Sequence, residues 1–544
     1  MKTTTKPDAK AGAKTGAKTD ANADAKMGAK TDVNAIANAA AKTAANAAAK
    51  AAAKTDAAAD ANAKNAGWLA PVAATLDTLA THGTDRYGIV HSPVWMSILD
   101  VETLDSPRHP LPLDEAVRVQ RRGRRAPGGC NLFLDQAMLC AARRLAALTG
   151  DARHDEAARR YAKYYLEHFV DSQTGLLEWG PHNFVNCHED AVQWLEGHFH
   201  EIHAWMPCWP ILHECNPRVI EREIAGIWEW HCNHATAQFG RHPEHGAGCS
   251  FAMTGGEFAA AFAFMHTITG DDAWRQRALR TARVHWAARN RETNLIPNQA
   301  EWEARFDAEH GDTSISGLWC GRLLTAAEMM RNEELLELAV AELRAFLKYQ
   351  WRGTGRGACA RPWGLLKLDG TPVPGPRLPV PPGMDPGQAP YQCWAPCGEL
   401  DLWPSYMLGY EFPQETALAY ADALRLTGDP EMRDGALRWA ELYAGDEAAL
   451  RGRGGTYAQH YGMVISFFCE MARATNDRSH LDTAERYARQ AADLLFTGKI
   501  FRGHPAKPYY EAADGVGFLC HALAQLHGAL HGIPPDSDPM LRNV

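Results

Sequence analysis

Ten of the 24 histidines in this 544-residue chain lie between His182 and His245. Imidazole binds borderline transition metals and moves protons near neutral pH, so metal or acid–base chemistry is sought there first. His182, Glu201 and His242 stand apart from the rest. Each sits beside Gly or Pro, or next to another histidine, just outside an expected helix. Two imidazoles and one carboxylate leave coordination positions open and suit manganese, iron, zinc or cobalt better than calcium. The same three residues are equally open to a structural reading, as satisfied polar side chains. His231 and His234 follow Ile220, Ile224, Ile227 and Trp228, on a helix that Pro217 opens behind an Asn216 cap; they read as core or groove residues. Glu178, Glu189, Asp190, Glu196 and Glu244 supply candidates for the two flanking carboxylates of a glycoside hydrolase. Trp179, Trp194, Trp205, Trp209, Trp228 and Trp230 are sugar platforms or core.

These residues need a scaffold, and the chain spells one out as helical hairpins. Apolar helical spacing over 131–148 stops at Thr149-Gly150-Asp151 and restarts over 157–169. Gly suits the left-handed position past a helix, and Asp suits the cap of the next. Thr269-Gly270-Asp271, Thr427-Gly428-Asp429 and Thr475-Asn476-Asp477 repeat the device, and Arg331-Asn332 breaks a fifth, degraded pair. Repeated antiparallel pairs form an open solenoid or a closed ring. The spacing between turns varies widely, with long loops between, which suits a ring. The expected fold is all-α: an α/α toroid, a barrel of antiparallel hairpins with long rim loops, with (α/α)7 as the form considered. Strands are expected only as short pieces near Gly175–Gly180. Residues 104–129, rich in Pro, Arg and Gly, read as a loop.

Composition sets the boundaries. Residues 1–66 are almost entirely Ala, Lys, Thr, Asp, Asn and Gly, with no aromatic residue. Eleven lysines against six aspartates give this tail +5, so the rest carries −14 of a net −9. Such a segment buries too little apolar surface to offset chain entropy and reads as a disordered tail, leaving 67–544 as the catalytic domain. No apolar run follows Lys2 as a secretory signal would require, and no stretch matches a membrane span. The 13 cysteines are scattered, with no CxxC pair. Reduced thiols in the cytoplasm are therefore expected, with the periplasm as the alternative if the start is misassigned. An acidic folded part without a basic aromatic module argues against nucleic acid as a partner.

Trp179-Gly180-Pro181-His182, His200-Glu201, the Pro-started helix with Trp228 and Trp230, and Arg241-His242 occur in an order and separation that resembles the family 2 pectate lyases, a polysaccharide lyase family that includes exo-polygalacturonate lyases. Asp85-Arg86-Tyr87-Gly88 and Asn131-Leu132-Phe133 share the likeness, as do Ala458-Gln459-His460-Tyr461-Gly462 and the segment from Gly503 to Glu511. The resemblance implies an α/α barrel and a metal held by His182, Glu201 and His242. The ion is a divalent cation, manganese by preference over calcium or other transition metals. It implies Arg241 as the catalytic base and an acidic polysaccharide or oligosaccharide, a 1,4-linked polyuronate, as substrate. Trp179, Trp205, His460, Tyr461, Lys507 and Tyr509 are the expected substrate contacts. The family pattern has Gly and Arg beside the first ligand, where this chain has Pro181 and Asn183. It has Asn-Arg-His-Gly where this chain has Gly240-Arg241-His242-Pro243, so the polymer need not be pectate. Other readings of these residues are a hydrolase on the same toroid, an iron(II) oxygenase with a two-His-one-carboxylate centre, and a glycan-binding protein without activity.

Overall fold

A computed structural model describes residues 67–109, 126–194, 197–202, 205–248, 250–300, 308–352, 361–375, 382–383, 397–404 and 412–542. The tail expected over 1–66 and most of the loop expected over 104–129 lie outside the described residues. Residues from Ala66 to Val544 form one compact unit.

In chain order the helices are α1 (Leu69–His82), α2 (Leu132–Thr149), α3 (Arg153–His168), α4 (Trp209–Cys215), α5 (Pro217–Gly226), α6 (Ala252–Thr269), α7 (Asp272–Ala288), α8 (Thr313–Met330), α9 (Glu333–Tyr349), α10 (Pro413–Thr427), α11 (Pro430–Gly452), α12 (Ala458–Thr475), α13 (Ser479–Leu495), α14 (Val516–Leu530) and the short α15 (Pro539–Arg542). The even-numbered helices α2–α14 form an inner ring. The odd-numbered α3–α13, together with α1, back them from outside. Burial explains the division. Every residue of α6 from Ala252 to Met265 is buried, as a helix enclosed on all sides requires. Outer helix α13 buries one stripe, including Leu481, Ala484, Tyr487, Ala488 and Ala491. Ring neighbours pack in the order α4, α6, α8, α10, α12, α14, α2, and α14 is backed by α1. The seam between α2 and α4 is sealed by Gln136 Oε1, which accepts from the Cys208 N–H at 2.7 Å. Seven helix pairs thus make an α/α toroid.

Turn chemistry sets the hairpins. Gly150, Gly270, Gly428 and Asn476 take left-handed φ values of 76°, 70°, 66° and 56° at the ends of α2, α6, α10 and α12. Arg331 does the same after α8, at φ 50°. Asp271 and Asp429 cap α7 and α11 with side-chain oxygens that accept backbone N–H groups. These short turns lie at one end of the ring. The long outer-to-inner connections therefore all cross the other end, and that loop face carries the histidine-rich stretch.

The strands are not where the sequence suggests. Gly175–Gly180 contains only the isolated bridge Val170↔Leu177. The strands are β1 (Ile98–Asp100), β2 (Gly129–Cys130), β3 (Asn183–Asn186), β4 (Ala191–Trp194), β5 (His310–Asp312), β6 (Leu365–Lys367) and β7 (Tyr509–Glu511). They pair as β1–β7, β2–β3–β4 and β5–β6, all antiparallel. Each pairing joins rim loops distant in sequence or folds one back on itself, which satisfies their backbone groups. No helix among the described residues is long and apolar enough to cross a membrane.

Candidate active site

Two connections build the site: residues 169–208, between α3 and α4, and residues 232–251, between α5 and α6. Their backbones are stitched together. Glu201 N–H donates to Trp179 O at 3.0 Å and Ile202 N–H to Arg241 O at 3.2 Å. Gly180, at φ 143°, allows the first contact, because a Cβ there would meet Glu201 O at 2.6 Å. Asn131, the cap of α2, donates from Nδ2 to Gly180 O at 2.9 Å and fixes the turn to the inner ring. Asn183 donates to Trp179 O at 3.0 Å. Asn183, one of the departures from the family pattern, is therefore an internal brace. Gly240, another departure, is required by packing, since a Cβ there would lie 2.1 Å from Ala247 O.

The loops converge on the Glu201 carboxylate, which is 1% exposed. His182 Nδ1 lies 2.6 Å from Oε2. Arg241 Nη1 lies 3.0 Å from Oε1, and His242 Nε2 lies 3.5 Å from the same oxygen. The sequence-expected ligands and the expected catalytic Arg241 thus share one carboxylate. His242 Nε2 is buried and makes no hydrogen bond. Burial, outweighing the pull of Glu201, shifts this imidazole below its ordinary value, toward the neutral form that binds metals. Two imidazoles flank one carboxylate here, a donor set that would suit a divalent transition ion, although the three ligand atoms do not all lie within 4.8 Å of one another. A second donor set lies on the solvent side of the same imidazole: His198, His242 and Glu244, with ligand atoms within 4.8 Å of one another. The His198 and His242 rings stack at 3.8 Å and 11°, so their nitrogen lone pairs lie in two nearly parallel planes. One ion cannot lie in the plane of both rings without rotation.

A buried layer supports this carboxylate. His200 Nδ1 meets His231 Nε2 at 2.8 Å, and His200 Nε2 meets Glu223 Oε1 at 2.8 Å. Glu223 also receives Trp179 Nε1–H at 3.0 Å and the Leu177 N–H at 2.7 Å. His231 Nδ1 faces Gly240 O at 3.0 Å, which can only accept. Burial, then the neighbouring His200, hold His231 neutral, so its Nε2 accepts from His200 Nδ1. His231 is a core residue, as its helical face suggested, although the helix ends in a π-turn at His231 (Ile227–His231). Glu223 was missed. Its signal is an acid placed among Ile220, Ile224 and Ile227 on the apolar face of α5.

The expected substrate contacts fare differently. Trp179 is fully buried against Phe133 and Trp209, so it supports the site and offers no face to a sugar. Trp205 is buried beside an internal cavity of about 30 Å³, room for a water or two. His460 is buried between Pro404 O and Gln414, and burial pushes it down to about 4. Tyr461 donates to Gln490 at 2.8 Å inside the ring. Lys507 is buried with Asp514 at 2.8 Å and Glu511 at 3.4 Å, and Tyr509 pairs with Asp100 between β7 and β1. His460, Tyr461 and Lys507 brace the rim from within because their polar ends are satisfied by protein, and Tyr509 is buried beside them. Of the tryptophans between 176 and 246, Trp194 exposes about half its surface. Of the hydrolase candidates, Glu189 is held by Arg108, Asp190 by the Ile89 N–H, Glu244 lies 3.8 Å from His198, and burial raises the Glu178 carboxyl above its ordinary value. Glu196 lies outside the described residues.

Residues 114–253 match the family described as periplasmic pectate lyase. The match contains His182, Glu201, Arg241 and His242. A pectate disaccharide-lyase of Dickeya dadantii (strain 3937) is 29% identical over 104 residues, which is 19% of this chain and 19% of that protein. The match thus spans about a fifth of that relative's length. Among solved structures, a D-mannose isomerase aligns with TM-score 0.46 and 9% identity over 86% of this chain and 97% of its own. A cellobiose 2-epimerase from Bacillus thermoamylovorans B4167 aligns with TM-score 0.42 and 10% identity over 85% of this chain and 99% of its own. The chain resembles the pectate lyases over the stretch that forms this site.

Proposed function

We propose that the protein is a divalent-cation-dependent polysaccharide lyase that cleaves a 1,4-linked polyuronate by β-elimination. The observation that carries this is the convergence of His182, Arg241 and His242 on the buried Glu201 carboxylate. The family match over the same stretch supports it, and supports the periplasm over the cytoplasm as the compartment.

His182, Glu201 and His242 would hold the cation, with manganese as the expected ion. Bound there, a divalent cation supplies a Lewis acid for the substrate carboxylate, which acidifies the C5 proton alpha to it. Arg241 stands beside the ligand His242 and is 5% exposed, so its guanidinium works with little competing water. A guanidinium is almost always protonated. Its direct contribution is to donate hydrogen bonds to the oxygens on which negative charge builds as C5 loses its proton. The C4–O bond then breaks with its electron pair leaving on the oxygen of the departing sugar, which takes up a proton from water, and a 4,5-unsaturated sugar remains. The proton from C5 needs a neutral acceptor: the resemblance names Arg241, which would have to act deprotonated, and the partly exposed imidazole of His198 is the other candidate on this rim.

The test is the rate of unsaturated-product absorbance on a panel of polyuronates, with manganese and with a chelator. Activity that needs the metal and is lost in Glu201→Gln is expected. Chelator-resistant cleavage that produces no unsaturated sugar would overturn the proposal in favour of hydrolysis.

A further inference from the structure

Away from His182, Glu201 and His242, the loop face has a groove of about 600 Å³ lined by residues 401, 403–404, 453–457 and 504–506 of the connections that lead into α10, α12 and α14. This volume lies within the roughly 300–1,000 Å³ typical of small-ligand pockets. Arg361, Asp401, Trp403, Arg453, Tyr457 and His504 bound it. None of them lies within residues 114–253.

The groove is organised by Asp446 of α11, whose side chain is only 10% exposed. Its carboxylate accepts from Arg361 Nη2 at 3.0 Å, Arg453 Nη2 at 2.8 Å and Trp403 Nε1 at 2.6 Å. One carboxylate thereby fixes two guanidiniums and an indole in a single array. Each guanidinium has five N–H donors, so most remain for a ligand. Two cations against Asp446 leave one positive charge within the array. The lip residue Asp401 is exposed and already accepts the Trp403 N–H at 3.0 Å. His504 Nδ1 accepts the Ala506 N–H at 3.1 Å, so in the neutral ring the proton sits on Nε2. Burial, then Lys507, push His504 down to about 4, so it is a neutral donor at pH 7. Tyr457 is flanked by His504 at 4.5 Å and by Lys507 Nζ at 5.1 Å, which makes it a wall; Trp403 packs on Tyr443 and Tyr487 at 5.4 and 5.7 Å and lines the groove with its remaining surface.

We propose that this groove binds a carboxylated sugar. The carboxylate lies on the planar guanidiniums of Arg361 and Arg453, which match its two oxygens. The apolar face of the ring lies on Trp403, and His504 serves a hydroxyl. The site uses none of His182, Glu201, Arg241 or His242, so it stands apart from the lyase proposal and survives if that fails.

The test is isothermal titration of the full chain in a Glu201→Ala background, used once it is confirmed to leave the probe uncleaved. The probes are a trimeric uronate, a neutral oligosaccharide of the same length and inorganic phosphate. The uronate is expected to bind and the other two to be silent. Arg453 is half-exposed, so Arg453→Gln leaves the fold standing. It should weaken the uronate on the order of tenfold or more through loss of a charged, bidentate contact. Trp403→Phe should weaken it less. Unchanged affinity in Arg453→Gln, equal affinity for the neutral oligomer, phosphate binding as tight as the uronate, or no binding at all would each overturn the proposal.

Discussion

On the lyase proposal Arg241 is the residue on which the chemistry turns, and its position makes a sharp experiment possible. Its Nη1 shares Glu201 Oε1 with His242, so the guanidinium and one of the proposed ligands meet at one oxygen. Arg241→Lys keeps the charge but loses the planar fork. Turnover should fall on the order of 100-fold or more, as for loss of one transition-state contact. Metal content by elemental analysis should be retained. Near-normal turnover in this variant would remove Arg241 from the mechanism. Alanine at His182, Glu201 or His242 should give the opposite pattern, with less bound metal per chain while helical circular dichroism is largely kept. Full occupancy in all three would remove them as ligands. Glu223 lies one layer below and touches no substrate. Glu223→Ala would leave the Leu177 N–H without a buried acceptor, at a cost of about 1–3 kcal/mol, and Trp179 Nε1 with His200 Nε2 as its remaining partner.

Helix α2 shows how one element ties the ring to the site. Asn131 at its start holds the Gly180 turn, and Asp135 one turn later joins it to the layers outside. The Asp135 carboxylate accepts from Tyr161 of α3 at 2.6 Å and from Ser97 at 3.1 Å. Complete burial outweighs those hydrogen bonds and pushes it from an ordinary 3.8 up to about 7. With the folded value above the unfolded one, the fold takes up a proton between about pH 4 and pH 7. That stabilisation is full below pH 4 and is lost as pH rises through 7. Stability of the wild type relative to Asp135→Asn should therefore fall with rising pH across this window, measured as denaturation midpoints. Parallel profiles for the two proteins would refute it. Most such elements were legible in the sequence. Five hairpins announce themselves because a left-handed residue and a cap must stand side by side at each tight turn. The α4–α5 pair was not legible, because Asn216 alone joins them and α4 is only two turns long. The pairing of α14 with α1 was hidden by sequence distance, since the ends of the chain close the ring. The site shows the same division. Its four converging residues sit in short motifs, whereas Asn131, Asn183 and Glu223 act through folded contacts that no spacing reveals. His460, Tyr461, Lys507 and Tyr509 looked like binding residues because polar side chains in a rim motif do not disclose that they point inward.

At the scale of the whole toroid, the chain's end is fastened to its middle. Arg542 in α15 reaches Glu328 of α8 with two bonds of 2.9 and 3.0 Å, and its carbonyl accepts from Gln525 of α14. Met540 fills space beside the internal cavity near Phe133 and Trp205. A ring whose first and last elements are neighbours gains from such a fastener, because opening one seam exposes the apolar faces of two inner helices. Glu328 is not left alone when Arg542 is removed, because Arg425 holds it at 2.7 Å. Arg542→Ala should therefore cost on the order of a single charged hydrogen-bonded contact, about 1.5–3 kcal/mol, and leave the fold intact. The pH dependence identifies the cause. Burial raises the Glu328 carboxyl, but Arg542 and Arg425 more than reverse this and hold it below its ordinary 4.5. A depressed carboxyl contributes stability above its unfolded value, and that contribution is lost as pH falls through the folded one. The gap in denaturation midpoint between wild type and Arg542→Ala should be widest above about pH 5 and should close as Glu328 takes up its proton in acid. A gap that persists unchanged into strong acid would mean that packing of α15, and not its ion pair, holds the end of the chain in the ring.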